Sequence, residues 1–169
     1  IDNPQQSFGA DVILRMEAAR QGAAEQLQEL LATGINRLFD QLLEQSGCRP
    51  EQVGFAAAAA NPAISHFLAG ESIEQILFPP HRSSYSAGNF LDASQVGLRL
   101  PVPLYLLPLV SGYVGGDLLA LLLGAPPLAG PTLYIDLGTN AELALWDGAN
   151  WLVTSVAAGP AFEAGNLSC

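Results

Sequence analysis

Two stretches of the chain repeat their apolar residues at the helical period. Over residues 8–20, Phe8, Val12, Ile13 and Met16 fall on one side and predict a first helix. Over residues 23–45, Leu27, Leu30, Leu31, Ile35, Leu38, Phe39, Leu42 and Leu43 predict a longer one, with Gly47 as its stop. Gly34 inside it predicts a bend or close packing. The apolar run 53–60 predicts a short buried strand. Asn61-Pro62 predicts the cap of a helix running through Leu68 and closed by Gly70. Ser72 and Gln75 have capping-box spacing at the start of helical turns that reach Leu77. Residues 81–92 are polar and irregular, as a surface loop is. Beyond them the pattern predicts a strand at 104–107 and an apolar helix at 114–123, opened by Gly112, Gly115 and Gly116. Runs at 133–137, 142–146 and 151–156 then predict a meander, with Asp147-Gly148 turning between the last two. Helices first and antiparallel strands last predict an α/β fold, a mixed sheet flanked by helices.

Composition narrows what such a fold can do. Half of the 169 residues are hydrophobic and 13% are charged, which describes a globular chain. The formal charge is −10 with six basic residues, which argues against nucleic acid as the partner. A bound phosphate would therefore be held by backbone dipoles and a metal. Cys48 and Cys169 are too few for a four-thiolate iron–sulfur or zinc site within one copy. They give no disulfide framework, so a reducing cytoplasm is expected. The apolar region 100–135 is broken by six prolines and by Asp117. It predicts buried strand, loop and helix, with no membrane span. Ile1-Asp2-Asn3-Pro4 has no basic, apolar leader, and both ends read as cut from something longer.

Chemistry concentrates in three glycine-containing loops, at 111–117, 136–140 and 157–163. Ligands in open α/β sheets bind where such loops converge. In the second, an apolar run delivers Asp136, then Gly138, Thr139 and Asn140, before a second run leads away. Gly138 allows close approach of backbone N–H groups to an anion. Thr139 and Asn140 can donate to phosphate oxygens, and Asp136 can hold a Mg²⁺-bound water. An ordinary hairpin favours the same turn residues. Glu142 falls on the same strand side as Asn140 and is either a ligand contact or solvent-facing. Asp117 is a second carboxylate near a metal, a water-orienting base, or an early-turn acid on the helix dipole. His66 reads as a packed, hydrogen-bonded histidine, and His81 as a solvated one. No paired-histidine spacing, nucleophile elbow or Walker A loop is present.

The succession Asn3-Pro4-Gln5, Phe8 to Arg15, Ser111 to Asp117, Ile135 to Glu142 and Ala157 to Glu163 resembles the ATP-dependent reductive activators of corrinoid proteins. Their large domain belongs to the acetate and sugar kinase, heat-shock chaperone and actin (ASKHA) superfamily, with a ribonuclease H-like fold. The resemblance implies that 1–130 is the helix-rich remainder of the first half of that fold. Residues 131–169 would open the second half, with 136–140 as its phosphate loop. It also implies a [2Fe–2S] domain, a linker, a middle region and a first phosphate hairpin upstream, and an adenosine loop downstream. ATP and Mg²⁺ are the implied cofactors. Asp117 and Asp136 would be the catalytic acids, and Asp136 the metal residue. Gly138, Thr139, Asn140, Glu142 and Gly159 would contact the nucleotide, and Asp11 would sit near the cleft.

The implied function is to rereduce a Co(II) corrinoid to Co(I), with a corrinoid protein or corrinoid methyltransferase as partner and a homodimer as the suggested state. The isolated segment would be a weak ATPase or none. Three departures stand out: Ala141 and Ala164 replace glycines of the pattern, and Ala60-Asn61-Pro62 replaces Gly-Asn-Thr. Each added Cβ is expected to narrow the room for backbone approach to a ligand. Two other readings fit the residues: a small-molecule kinase with Asp117 as base, and a degenerate lobe that binds a partner without nucleotide.

Overall fold

A computed structural model describes residues 1–83, 87–126, 129–138 and 140–157. The first helix, α1 (Val12–Ala18), starts later than periodicity alone predicts. Gly9 sits at φ 150°, and Asp11 takes the cap position, its carboxylate accepting from Leu14 N–H at 2.9 Å. A π-turn over Ala19–Ala23 follows, with Gly22 at φ 107°. The chain then enters α2 (Ala24–Ser46), which Gly47 ends in the left-handed conformation. Gly34 is a close-packing glycine: a Cβ there would lie 3.0 Å from the Pro4 ring.

The strand expected at 53–60 shrinks to β1 (Ala56–Ala58), half-exposed, with Phe55 beside it 63% exposed. It is an edge strand, which explains why it is not buried. Asn61 caps α3 (Pro62–Ala69), accepting from Ile64 N–H at 2.9 Å, and Gly70 closes it in the left-handed region. A short α4 (Glu74–Leu77) follows, and Ser72 Oγ accepts from Glu74 N–H at 3.3 Å. The 81–92 segment is not all loop, since β2 (Asn89–Leu91) lies within it. It pairs antiparallel with β3 (Leu104–Leu106), which pairs parallel with β1, giving the order β1-β3-β2.

After α5 (Gly116–Gly124) come β4 (Thr132–Leu137), β5 (Asn140–Trp146) and β6 (Trp151–Ala157). They form a second sheet, an antiparallel meander, so the strands group into two three-stranded sheets, the first of them mixed. Asp147 takes the β5–β6 turn, accepting from the N–H groups of Ala149 and Asn150 at 2.7 Å, with Gly148 at φ 109°. The first sheet packs on α2 and α3 through Leu104, Leu106, Ala32 and Leu68. Met16, Leu27, Phe67 and Ile76 join the four N-terminal helices. Val114 and Leu118 pack on Ala144 of the meander. The loop before α5 and the β4–β5 hairpin meet α1 and the start of α3 at one cleft. Among the described residues no helix is long and apolar enough to cross a membrane.

Candidate functional site

The hairpin β4–β5 sets two acids directly opposite each other, because its register pairs Asp136 with Glu142 and Glu142 with Ser155. Like charges facing across a strand pair cost stability, so the packing of the sheet gives no reason for them. Glu142 is 6% exposed and accepts from Ser155 Oγ at 3.3 Å. Its burial raises its pKa, and the neighbouring Asp117 and Asp136 charges add to the rise. Asp117 stands in the first turn of α5 and accepts from Leu118 N–H at 3.0 Å. Burial raises its pKa too, partly offset by backbone donors, with Asp136 pushing the same way. Asp117 is thus an early-turn acid that lines the same cleft as Asp136 and Glu142.

The opposite wall is the 111–117 loop. Ser111 Oγ accepts from the N–H groups of Tyr113 and Val114 at 3.2 and 3.1 Å. Gly112 N–H donates to His81 O at 2.8 Å, and Gly116 N–H donates to Ala60 O at 2.9 Å. No side chain fits at the three glycines of this loop, and at Gly116 an added Cβ would lie 2.8 Å from Leu107 Cβ. A Cβ at Gly112 would collide with His81 O, and one at Gly115 would lie 2.5 Å from Ala60 O. The Ala60-Asn61-Pro62 departure is thus built into the wall, as a carbonyl anchor and a helix cap.

Between these walls lies a cleft of about 150 Å³. Asp117, Asp136, Gly138, Asn140 and Glu142 line it, so five of the seven expected site residues converge there. Thr139 and Gly159 lie outside the described residues, as do Glu163 and Ala164. Val12, Ile13 and Met16 of α1 and Asn61, the cap of α3, also line it. Two details bear on the expectations. Gly138 stands in open space, with nothing nearer than 3.7 Å to an added Cβ, but its own N–H already donates to Asn140 O at 2.9 Å. Its amide serves the turn, and Asn140 lines the cleft beside it. Ala141 pairs with Leu137 on the other face of the sheet, so its Cβ does not narrow the cleft.

His66 is buried, with a hydrogen-bond partner at each ring nitrogen. Nδ1 lies 2.9 Å from Ser72 O and Nε2 lies 2.8 Å from Ser83 Oγ. Burial lowers its pKa, as a packed histidine requires. His81 is not the solvated residue expected. Its Nδ1 lies 2.9 Å from Ile76 O and 3.0 Å from the Tyr113 hydroxyl, and its ring lies 5.0 Å from the Tyr113 ring. Tyr113 and Asn61 are cleft residues that sequence reasoning did not single out. The signal was present in part, since Tyr113 sits inside a glycine loop already marked. Asp11 is a helix cap and does not line the cleft.

Among the described residues no three His, Cys, Asp or Glu side chains form a group that could hold a metal ion alone. The acids fit a Mg²⁺ ion that takes most of its ligands from phosphates and water, as Mg²⁺ commonly does.

Residues 1–126 match the family model described as the RACo middle region. Residues 130–169 match the one described as the C-terminal domain of RACo, the ASKHA domain. The middle region expected upstream is therefore matched on this chain itself. A curated protein of Eubacterium limosum, "Corrinoid activation enzyme RamQ", is 29% identical over 98% of the chain and 29% of its own length. A solved structure titled "Reductive activator for corrinoid,iron-sulfur protein" superposes with a TM-score of 0.86 at 29% identity, over 97% of this chain and 27% of that one. The chain thus spans less than a third of either relative.

Proposed function

The chain belongs to the RACo family and has an ASKHA-type α/β fold, and from that premise we propose that it is nucleotide-binding machinery of an ATP-dependent corrinoid activator. The whole protein would rereduce a Co(II) corrinoid to Co(I) by adding one electron, with a [2Fe–2S] cluster as donor in a part of the protein beyond these residues. The observation that carries this reading is the facing of Asp136, Glu142 and Asp117 across one cleft, at a cost in electrostatic repulsion that the fold does not otherwise need. A magnesium ion arriving with the nucleotide would offset that repulsion and neutralise phosphate charge. Asn140 would donate to a phosphate oxygen, Asp136 would orient metal-bound water, and Asp117 and Glu142 would accept from that water. Residues 131–169 would carry the phosphate loop of the nucleotide domain, with the middle region before them forming the other wall of the cleft.

Binding energy in such a cleft acts by favouring one conformation of the complex, and it shifts the equilibrium only by its preference for that state. The partner would be a corrinoid protein or corrinoid methyltransferase in the cytoplasm, and the activator a homodimer. Two measurements on the full-length protein test the reading. Calorimetric titration with Mg-ATP should show binding. Loss of the Co(II) spectrum of a corrinoid iron–sulfur protein, under a constant reductant, should require ATP. Reduction at the same rate without nucleotide would refute it.

A further inference from the structure

The His81–Tyr113 contact has a consequence for ligand binding that follows from hydrogen-bond bookkeeping. A backbone carbonyl can only accept, so the 2.9 Å approach of His81 Nδ1 to Ile76 O places the ring proton on Nδ1. That nitrogen then has no lone pair for the Tyr113 hydroxyl, 3.0 Å away. The hydroxyl oxygen must accept a share of the same proton, and its own hydrogen is left free to donate. Among the described residues that hydroxyl makes no other hydrogen bond. Tyr113 is 49% exposed and lines the cleft that Asp136, Gly138 and Asn140 line.

His81 is held through its backbone as well as its ring. It is the non-glycine residue with positive φ, 54°, among those described. Its N–H donates to Phe78 O at 2.9 Å and its carbonyl accepts from Gly112 N–H at 2.8 Å. Ring, amide and carbonyl therefore fix it on both sides of Tyr113, and the ring contact fixes the tyrosine.

We propose that Tyr113 is a further phosphate-binding residue of the cleft, its hydroxyl hydrogen donating to an anionic oxygen, with His81 as the positioning residue that aims it. The cleft is short of basic side chains, so a neutral donor of this kind supplies what lysine supplies elsewhere. The inference rests on the nucleotide reading above.

The test is calorimetric titration of the full-length protein with Mg-ATP. Tyr113→Phe keeps the ring and removes the donor; its Kd should rise about tenfold, the scale of one hydrogen bond to a charged oxygen. His81→Asn removes the ring while tolerating the left-handed backbone, and should weaken binding to a similar degree. The double variant should lose no more than either single one, since the two act as one unit. Melting temperatures near that of the parent separate these losses from unfolding. Wild-type affinity in Tyr113→Phe would overturn the proposal while leaving the nucleotide reading intact. Fully additive losses would remove His81 from its aiming role. An absence of binding heat in the parent protein would overturn the nucleotide reading and this inference with it.

Discussion

Asp136 and Glu142 carry the sharpest expectations at the level of single residues. Asp136→Asn keeps the shape of the side chain and removes the charge that would orient metal-bound water. In the full-length protein it should weaken Mg-ATP binding at least tenfold and leave the melting temperature unchanged or raised, both measurable on one preparation. Glu142 tests the same cluster through stability. It and Asp117 hold their protons more tightly in the folded chain than in the unfolded one. Folding therefore takes up protons, and stability falls as pH rises from the ordinary carboxylate value through the raised one. Below the ordinary value both states are protonated and the penalty is absent. Glu142→Gln should accordingly stabilise the chain by about 0.5–2 kcal/mol at pH 7 in urea titrations, at the expense of function. Below about pH 4 variant and parent should coincide. A destabilised Glu142→Gln at neutral pH would mean that the bond from Ser155 outweighs the repulsion.

At the level of elements, the two glycine turns that face each other across the cleft are built for opposite reasons. The 111–117 loop is packed against backbone on both sides, whereas the β4–β5 turn stands clear. Gly112→Ala should therefore cost about 1–3 kcal/mol, because His81 O has to move. Gly138→Ala should stay within about 1 kcal/mol, because nothing lies within 3.7 Å. Equilibrium urea unfolding of the two variants decides the contrast.

Legibility in the sequence divides along the same line. Elements announced by local chemistry were readable: α2 by its period and Gly47, α3 by Asn61-Pro62 and Gly70, the meander by alternation and Asp147-Gly148. The convergence of Asp117 with Asp136 and Glu142 followed from the order of the glycine loops. What escaped was set by distant contacts. The edge position of β1 depends on which strand lies beside it, and β2 hides in a polar segment because only β3 pairs with it. His81 was misread as solvated because its partners, Ile76 O and Tyr113, are brought to it by the fold.

At the level of the whole molecule, one sheet face stands apart. Leu133, Ile135 and Leu137 of β4, Leu145 of β5, and Leu152 and Val156 of β6 share the side of the meander away from α5, and all are exposed. A contiguous apolar face of this kind drives self-association in a soluble chain. The isolated 169-residue segment should associate in sedimentation velocity, and Leu137→Lys with Leu152→Lys should return it towards monomer. A monomeric parent segment would show that the face is harmless on its own. The acidic cleft has a different kind of consequence, in the order of events. Among the described residues its carboxylates form no group that would hold a cation unaided, and their charge opposes an uncomplexed polyphosphate. Neither component is welcome before the other. On the nucleotide reading the site therefore works as a coincidence detector, admitting metal and anion as a pair already formed in solution.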